Sequence, residues 1–170
     1  MDVLQAVKGR RSIRNFQKKD IPDEIIDVLI DALIWAPSAG NLQARKFYFV
    51  RDHRMKEMIA SAALNQGFIA EAPLLIVGCT DYRIANRYGD RGITLYTIQD
   101  VAASVMGMML CAYAHGLGTV WIGAFRDSEV STILALPQNL KPVAIIPVGY
   151  PSRVPPPPPR VSRTEAVVFR

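Results

Sequence analysis

The run IQDVAASVMGMMLCAYAHGLGTVWIGAF, residues 98–125, reads as a long apolar helix, a glycine turn and a short strand. Thr94 to His115 carries Leu95, Ile98, Val101, Val105, Met106, Met109 and Leu110, so apolar side chains go nearly all round. A helix of that kind is buried on several sides. Met106, Met108 and Met109 fit core packing, because methionine fills irregular gaps. Gly116 and Gly118 end the helix, and Val120–Ile122 is strand-like. The longest apolar run, Val101 to Ala114, falls short of the roughly 20 residues of a bilayer span, which favours a protein core over a membrane.

The flanking sequence supplies the layers for this helix. Leu74 to Cys79, just after Pro73, predicts a buried strand, and Val143 to Val148 and Lys46 to Val50 predict two more. Ile25, Ile26, Leu29, Ile30 and Leu33 are spaced for a helix that starts at Pro22 or Asp23 and stops before Pro37. Further helices are expected over 2–8, 52–64 and 128–135. Residues 37–44, PSAGNLQA, read as a polar loop, and residues 81–92 as a surface loop. Pro155 to Pro159 must be extended polyproline II, a stiff arm, and Ala166 to Phe169 is apolar enough for a strand at its end.

At 170 residues the chain is expected to be one domain, residues 1–170, with an arm over 150–170. Half of it is hydrophobic, which leaves room for an extra buried surface such as a dimer interface. Cys79 and Cys111 sit in apolar runs and read as buried free thiols of a reducing, cytoplasmic protein. No charged-then-apolar leader opens the chain. The net charge of +5 favours anionic ligands, but it forms no stripe with interleaved aromatics, so nucleic acid is not an expected partner. His53 and His115 lack metal-ligand spacing, neither cysteine has a CxxC neighbour, and no GxSxG or Walker sequence is present. Trp121 stands where a third glycine of GxGxxG would be. With so few reactive side chains, the hard chemistry falls to a cofactor and not to a metal.

Four segments look specialised. RRSIRNF, residues 10–16, would in extended form put Arg10, Ser12 and Arg14 on one face, two guanidinium forks and a hydroxyl suited to a phosphate. APSAGNLQARKFYFV, residues 36–50, offers Ser38, Asn41 and Gln43 ahead of a strand. The small residues of HGLGTVWIGAF, residues 115–125, allow close backbone approach to a flat ligand. Arg160 follows the proline arm. Singly, each is equally a solvated loop, a helix cap or a terminal charge.

Together, and in this order, with NQGFIAEAPLLIVGCTD, IIPVGYP and PRVSRTEAVV, these segments resemble the FMN-dependent nitroreductase family, over nearly the whole chain from Asp2 to Phe169. The resemblance implies an α+β three-layer sandwich, a mixed sheet flanked by helices, in an intertwined homodimer. The helix over 94–116 would pack on its twin, and the C-terminal arm would be exchanged to add a strand to the partner's sheet. FMN would lie in the interface. Arg10, Arg11 and Ser12 would hold its phosphate and ribityl chain, with Arg160 on the phosphate, and Arg14 would stabilise charge at the N1–C2 carbonyl edge. Ser38, Asn41 and Gln43 would reach the flavin of the other subunit. Gln66 would hydrogen-bond the ring, and the backbone of Trp121, Ile122, Gly123 and Ala124 would lie near N5. No side chain would act as nucleophile. NADH or NADPH would supply hydride in a ping-pong cycle, and a nitroaromatic, quinone or similar acceptor would remove it. A dehalogenase-like or flavin-fragmenting enzyme, or a non-catalytic FMN carrier or redox sensor, are the alternatives. Pro158 stands where the family often has a second basic residue, and Gly123 where some members carry a glutamate.

Overall fold

The computed structural model describes residues 2–170. In chain order the elements are α1 (Val3–Gly9), α2 (Asp23–Ile34), β1 (Arg45–Val50), α3 (His53–Ala62), α4 (Phe68–Glu71) and β2 (Leu74–Asp81). There follow α5 (Ala85–Arg91), a π-helical turn (Gly92–Tyr96), α6 (Thr97–Ala114), β3 (Gly118–Thr119), α7 (Asp127–Ile133), β4 (Leu140–Gly149) and α8 (Arg163–Ala166).

The strands form one sheet in the order β1-β2-β4-β3, and every strand pair is antiparallel. The mixed sheet expected from the resemblance reduces to one parallel bridge among the described residues, Ser12 to Thr119 at the β3 edge. β2 is buried along its whole length, because it lies between β1 and β4 and has helices on both faces. Its alternation sorts the core into two layers. Leu74 and Ile76 join Ala144, Ile146 and Val148 of β4 against α2 and α6. Leu75, Val77 and Cys79 join Ile145 against α3 and α7. The result is a helix–sheet–helix sandwich.

α6 is the inner helix. Val101, Val105, Met108 and Met109 pack on the sheet and on Leu29 and Leu33 of α2. The methionines divide: Met108 and Met109 are core, while Met106 is exposed. Of residues 81–92, Asp81 ends β2 and 82–92 are helical instead of a loop, because Asp81 caps the 3-10 turn Tyr82–Ile84 that leads into α5. The helical run therefore extends from Tyr82 to Ala114, 33 residues, which by length and composition alone is enough to cross a membrane. Its core-packed face shows the other use of such a helix.

Two further expectations change. Cys79 is buried, which pushes its thiol pKa up to about 12, but Cys111 is only half-buried. Ala166 to Phe169 is not a strand in the single chain. Ser162 caps the one-turn α8 by accepting from Glu165 N, Val167 N donates back to Arg163 O to close the turn, and Val168 and Phe169 beyond it are exposed and join no strand. A strand needs a neighbour for its backbone groups, and this one has none within its own chain.

Candidate functional site

The strip Arg10–Arg14 runs extended along the open side of β3. Ile13 N donates to the Thr119 carbonyl at 2.9 Å, and the Ile13 side chain enters the core. This docking explains Gly118. A Cβ there would come within 2.5 Å of the Ile13 side chain, so the glycine makes room for the strip and not for a ligand. Ile13 points in, and the residues on either side point out.

Those outward residues line a cleft of about 320 Å³. Its walls are Arg10, Arg11, Ser12 and Arg14 on one side, and Pro155, Pro156, Pro158 and Arg160 of the arm on the other. The proline run thus serves as a wall of the site, a role its sequence alone did not reveal. Among the described residues none of the four arginines forms an ion pair. Arg10 Nε is buried with no hydrogen-bond partner. Burial lowers the Arg10 guanidinium pKa, and the like charges of Arg160 and Arg11 lower it further. An unpaired buried donor among repelling cations is costly unless an anion completes it. A phosphate supplies the charge and the acceptor oxygens, so the residues present fit that end of FMN.

Arg11 is partly committed elsewhere. Its Nη1 donates to the carbonyls of Lys8, Gly9 and Arg10 at 2.7, 3.0 and 2.9 Å, closing the end of α1. A cation there also suits the helix C-terminus.

Arg14 marks the other end of the strip. Its guanidinium lies 5.8 Å from the centre of the Phe68 ring. In the same turn, the Gln66 side-chain amide donates to Ala63 O at 2.9 Å and reaches Ala124 O at 3.5 Å. The 66–68 turn therefore joins Arg14 to the 121–124 segment. Sequence reasoning passed over Phe68, whose signal was only its place two residues after Gln66. Within 121–124, Ile122 is core: its side chain is buried, and its N–H and C=O pair with Ile145. Trp121, Gly123 and Ala124 remain exposed.

Ser38, Asn41 and Gln43 lie apart from this cleft and contribute nothing to its walls. Ser38 Oγ accepts from Gln43 N at 3.0 Å, and Ala39 N donates to Asp100 Oδ1 of α6 at 2.9 Å. Asn41 and Gln43 both take positive φ, 54° and 52°, so the loop is a tight, strained turn. Asp100 Oδ2, beneath it, is buried without a partner.

The Nitroreductase family model matches residues 7–66 and 54–150, most of the strip, the sheet and α6. The chain belongs to the nitroreductase family. A provisionally named NADH dehydrogenase/NAD(P)H nitroreductase of Methanothermobacter thermautotrophicus is 33% identical over 159 residues, 91% of this chain and 80% of its own. The NADPH-flavin oxidoreductase of Vibrio harveyi is 30% identical over 94% of this chain and 70% of its own. Among solved structures, nitroreductase A from Vibrio parahaemolyticus superposes with a TM-score of 0.92 at 29% identity, covering 99% of this chain and 76% of that one. In this nitroreductase the α+β fold is thus that of its relatives.

Proposed function

We propose that the protein is an FMN-dependent NAD(P)H oxidoreductase whose acceptors are nitroaromatics, quinones or related conjugated oxidants. The observation that carries this reading is the arginine cleft, with the buried and unpartnered Arg10 Nε at its centre. Arg10, Ser12 and Arg160 would hold the phosphate, with the remaining donors of Arg11. Arg14 would stand at the N1–C2 carbonyl edge, where a fixed cation stabilises negative charge. Gln66 and the exposed backbone of Trp121, Gly123 and Ala124 would line the ring. The relatives support the cofactors: an FMN reductase [NAD(P)H] of Bacillus subtilis is 30% identical, and the Vibrio harveyi NADPH:FMN oxidoreductase, 29% identical, is known in complex with NAD+. Bound there, FMN would supply the hydride chemistry between nicotinamide and oxidant, and the protein's part would be to position the reactants and to stabilise charge.

The working unit would be a homodimer built from the single domain over 1–170. The chain exposes 10066 Å², where a compact monomer of its 18.8 kDa has about 8,300 Å². Contributing to it are the extended arm and exposed apolar side chains: Val3, Leu4 and Val7 on α1, Ile98 and Met106 on α6, and Val167, Val168 and Phe169 on the arm. β1 is a free sheet edge, and beside it Ile30, Leu33, Ile34, Phe47 and Phe49, rimmed by Gln43, Arg45 and Lys46, line a groove of about 460 Å³. An extended apolar segment of a partner's arm would complete that edge. The loop over 38–43, remote from its own cleft, would face the partner's flavin.

The test is the absorption spectrum of the purified protein before and after incubation with FMN, then anaerobic addition of NADH and of NADPH. Yellow protein bleached by a nicotinamide and re-coloured by menadione or a nitrofuran is the expected result. Protein that stays colourless, or flavin that neither nucleotide reduces, sinks the reading.

A further inference from the structure

The segment Ala85–Tyr96 carries a cluster that the flavin site leaves unused. The rings of Tyr88 and Tyr96 meet edge to face, with centroids 5.2 Å apart and planes at 89°. A guanidinium lies against each ring: Arg87 is 5.8 Å from the Tyr88 centroid, and Arg91 is 5.4 Å from that of Tyr96. Arg91 Nε also donates to the Tyr96 hydroxyl at 2.9 Å. Gly89, with φ 54°, breaks the helical path between the two arginines, so the aromatic pair and not a straight helix sets their spacing.

Both arginines are exposed, and among the described residues neither forms an ion pair. Their acidic neighbour in sequence, Asp90, forms none either; its backbone carbonyl accepts from Thr94 Oγ1 at 2.8 Å. Aromatic faces hold the two cations where no carboxylate does. The cluster's place is fixed by the Ser38–Gln43 loop. A Cβ on Gly40 would fall 2.4 Å from the Tyr88 hydroxyl, so the ring abuts that loop's backbone.

Of the molecules that the proposed reaction brings to the flavin, only the reductant has an anionic, aromatic end. Quinones and nitroaromatics need carry no phosphate. NADPH differs from NADH by one phosphate on the adenosine ribose. A guanidinium binds phosphate oxygens bidentately, and arginine beside the 2′-phosphate is a known way to accommodate NADP. We propose that Arg87 and Arg91, held on the Tyr88–Tyr96 pair, bind the 2′-phosphate of NADPH and make the protein select NADPH over NADH. This inference rests on the reading that the Ser38–Gln43 loop faces a flavin.

The experiment is calorimetric titration of the FMN-loaded protein with 2′,5′-ADP and with 5′-AMP, which differ only in the 2′-phosphate. The native protein should bind 2′,5′-ADP at least about tenfold more tightly, the gain of one charge-assisted contact. Arg87→Ala plus Arg91→Ala should bring the two ligands within about twofold, and Arg87→Lys plus Arg91→Lys should recover part of the gap, since lysine keeps the charge but not the fork. FMN content and melting temperature verify the fold of each variant, and the single Arg87→Ala repeats the test if the double variant fails to fold. No gap in the native protein, or an undiminished gap in the alanine variants, overturns the inference. Protein that takes up no FMN overturns the flavin site and this inference together, whereas protein that takes up FMN but shows no gap overturns this one alone.

Discussion

β2 and the arginine strip are both extended segments, but they differ in how their requirements are met. Every residue of β2 is buried, its backbone pairs on both sides, and its two faces divide the core between them. The strip pairs on one side only, through Ile13 and Thr119, and sends its arginines into a cleft without a counter-charge. β2 is complete within one chain. The strip leaves a buried donor and like charges that the proposed phosphate would complete. The difference separates the part of the molecule that carries stability from the part proposed to carry function.

Substitutions should respect that division. Ile76→Ala opens a cavity in the inner layer and should cost about 4 kcal/mol of folding stability, read as a drop in denaturation midpoint. Arg10→Ala plus Arg14→Ala should leave that midpoint nearly unchanged while weakening FMN binding at least about a hundredfold in a fluorescence titration. Lys18→Ala plus Arg54→Ala, an equal charge loss elsewhere, is the control. If both pairs retained FMN equally, the cleft would be misassigned.

Acid should act on the body before the strip. Burial pushes the Asp81 carboxyl pKa up, but hydrogen bonds from Arg83 and Asn139 outweigh it and hold the carboxyl at about 2. A carboxyl lower in the folded than in the unfolded chain stabilises the fold above pH ~4, and that contribution drains as pH falls toward 2. About 2 kcal/mol should be lost over this interval, and Asp81→Asn should flatten the dependence in acid melts. A last substitution tests the joint between the regions. Gly118→Ala drives a methyl into Cβ and both branches of the buried Ile13, a contact that no χ1 turn relieves, so the strip must shift: stability should fall by about 2 kcal/mol while FMN dissociates faster. An unchanged dissociation rate would mean that the strip does not depend on its docking.

Much of the body was legible because burial writes itself into periodicity. Leu74–Cys79, Val143–Val148 and the helix around Val101 were all placed by it. Residues 81–92 were misread because they are polar and hold Gly89, while the Asp81 cap that makes them helical depends on local hydrogen bonds. At the site, sequence located the arginines but not what each would touch. Arg11 turns back on the end of α1, Ile122 turns into the core, and Gly118 gives its space to Ile13. The first is a local side-chain turn that no periodicity signals; the other two hang on pairs distant in sequence, Ile122 with Ile145 and Gly118 with Ile13, as does the meeting of the proline run with Arg10. The terminal strand could not form for a plainer reason: strand pairing is a property of two segments.

In the proposed homodimer the proline run would also govern which chain that last segment can reach. Its five residues span about 15 Å as a polyproline rod, with no backbone N–H to offer any sheet. A flexible tether would let Val167–Phe169 sample its own surface at millimolar effective concentration, and self-docking would compete with exchange. A rod that cannot bend back lowers that intramolecular competition. In the proposed homodimer, encounter with a second chain would then be the favoured outlet for the segment, at a rate that scales with protein concentration. Replacing the rod by glycine and serine would lengthen no contact and remove no charge, yet it would return to the chain the option of closing on itself.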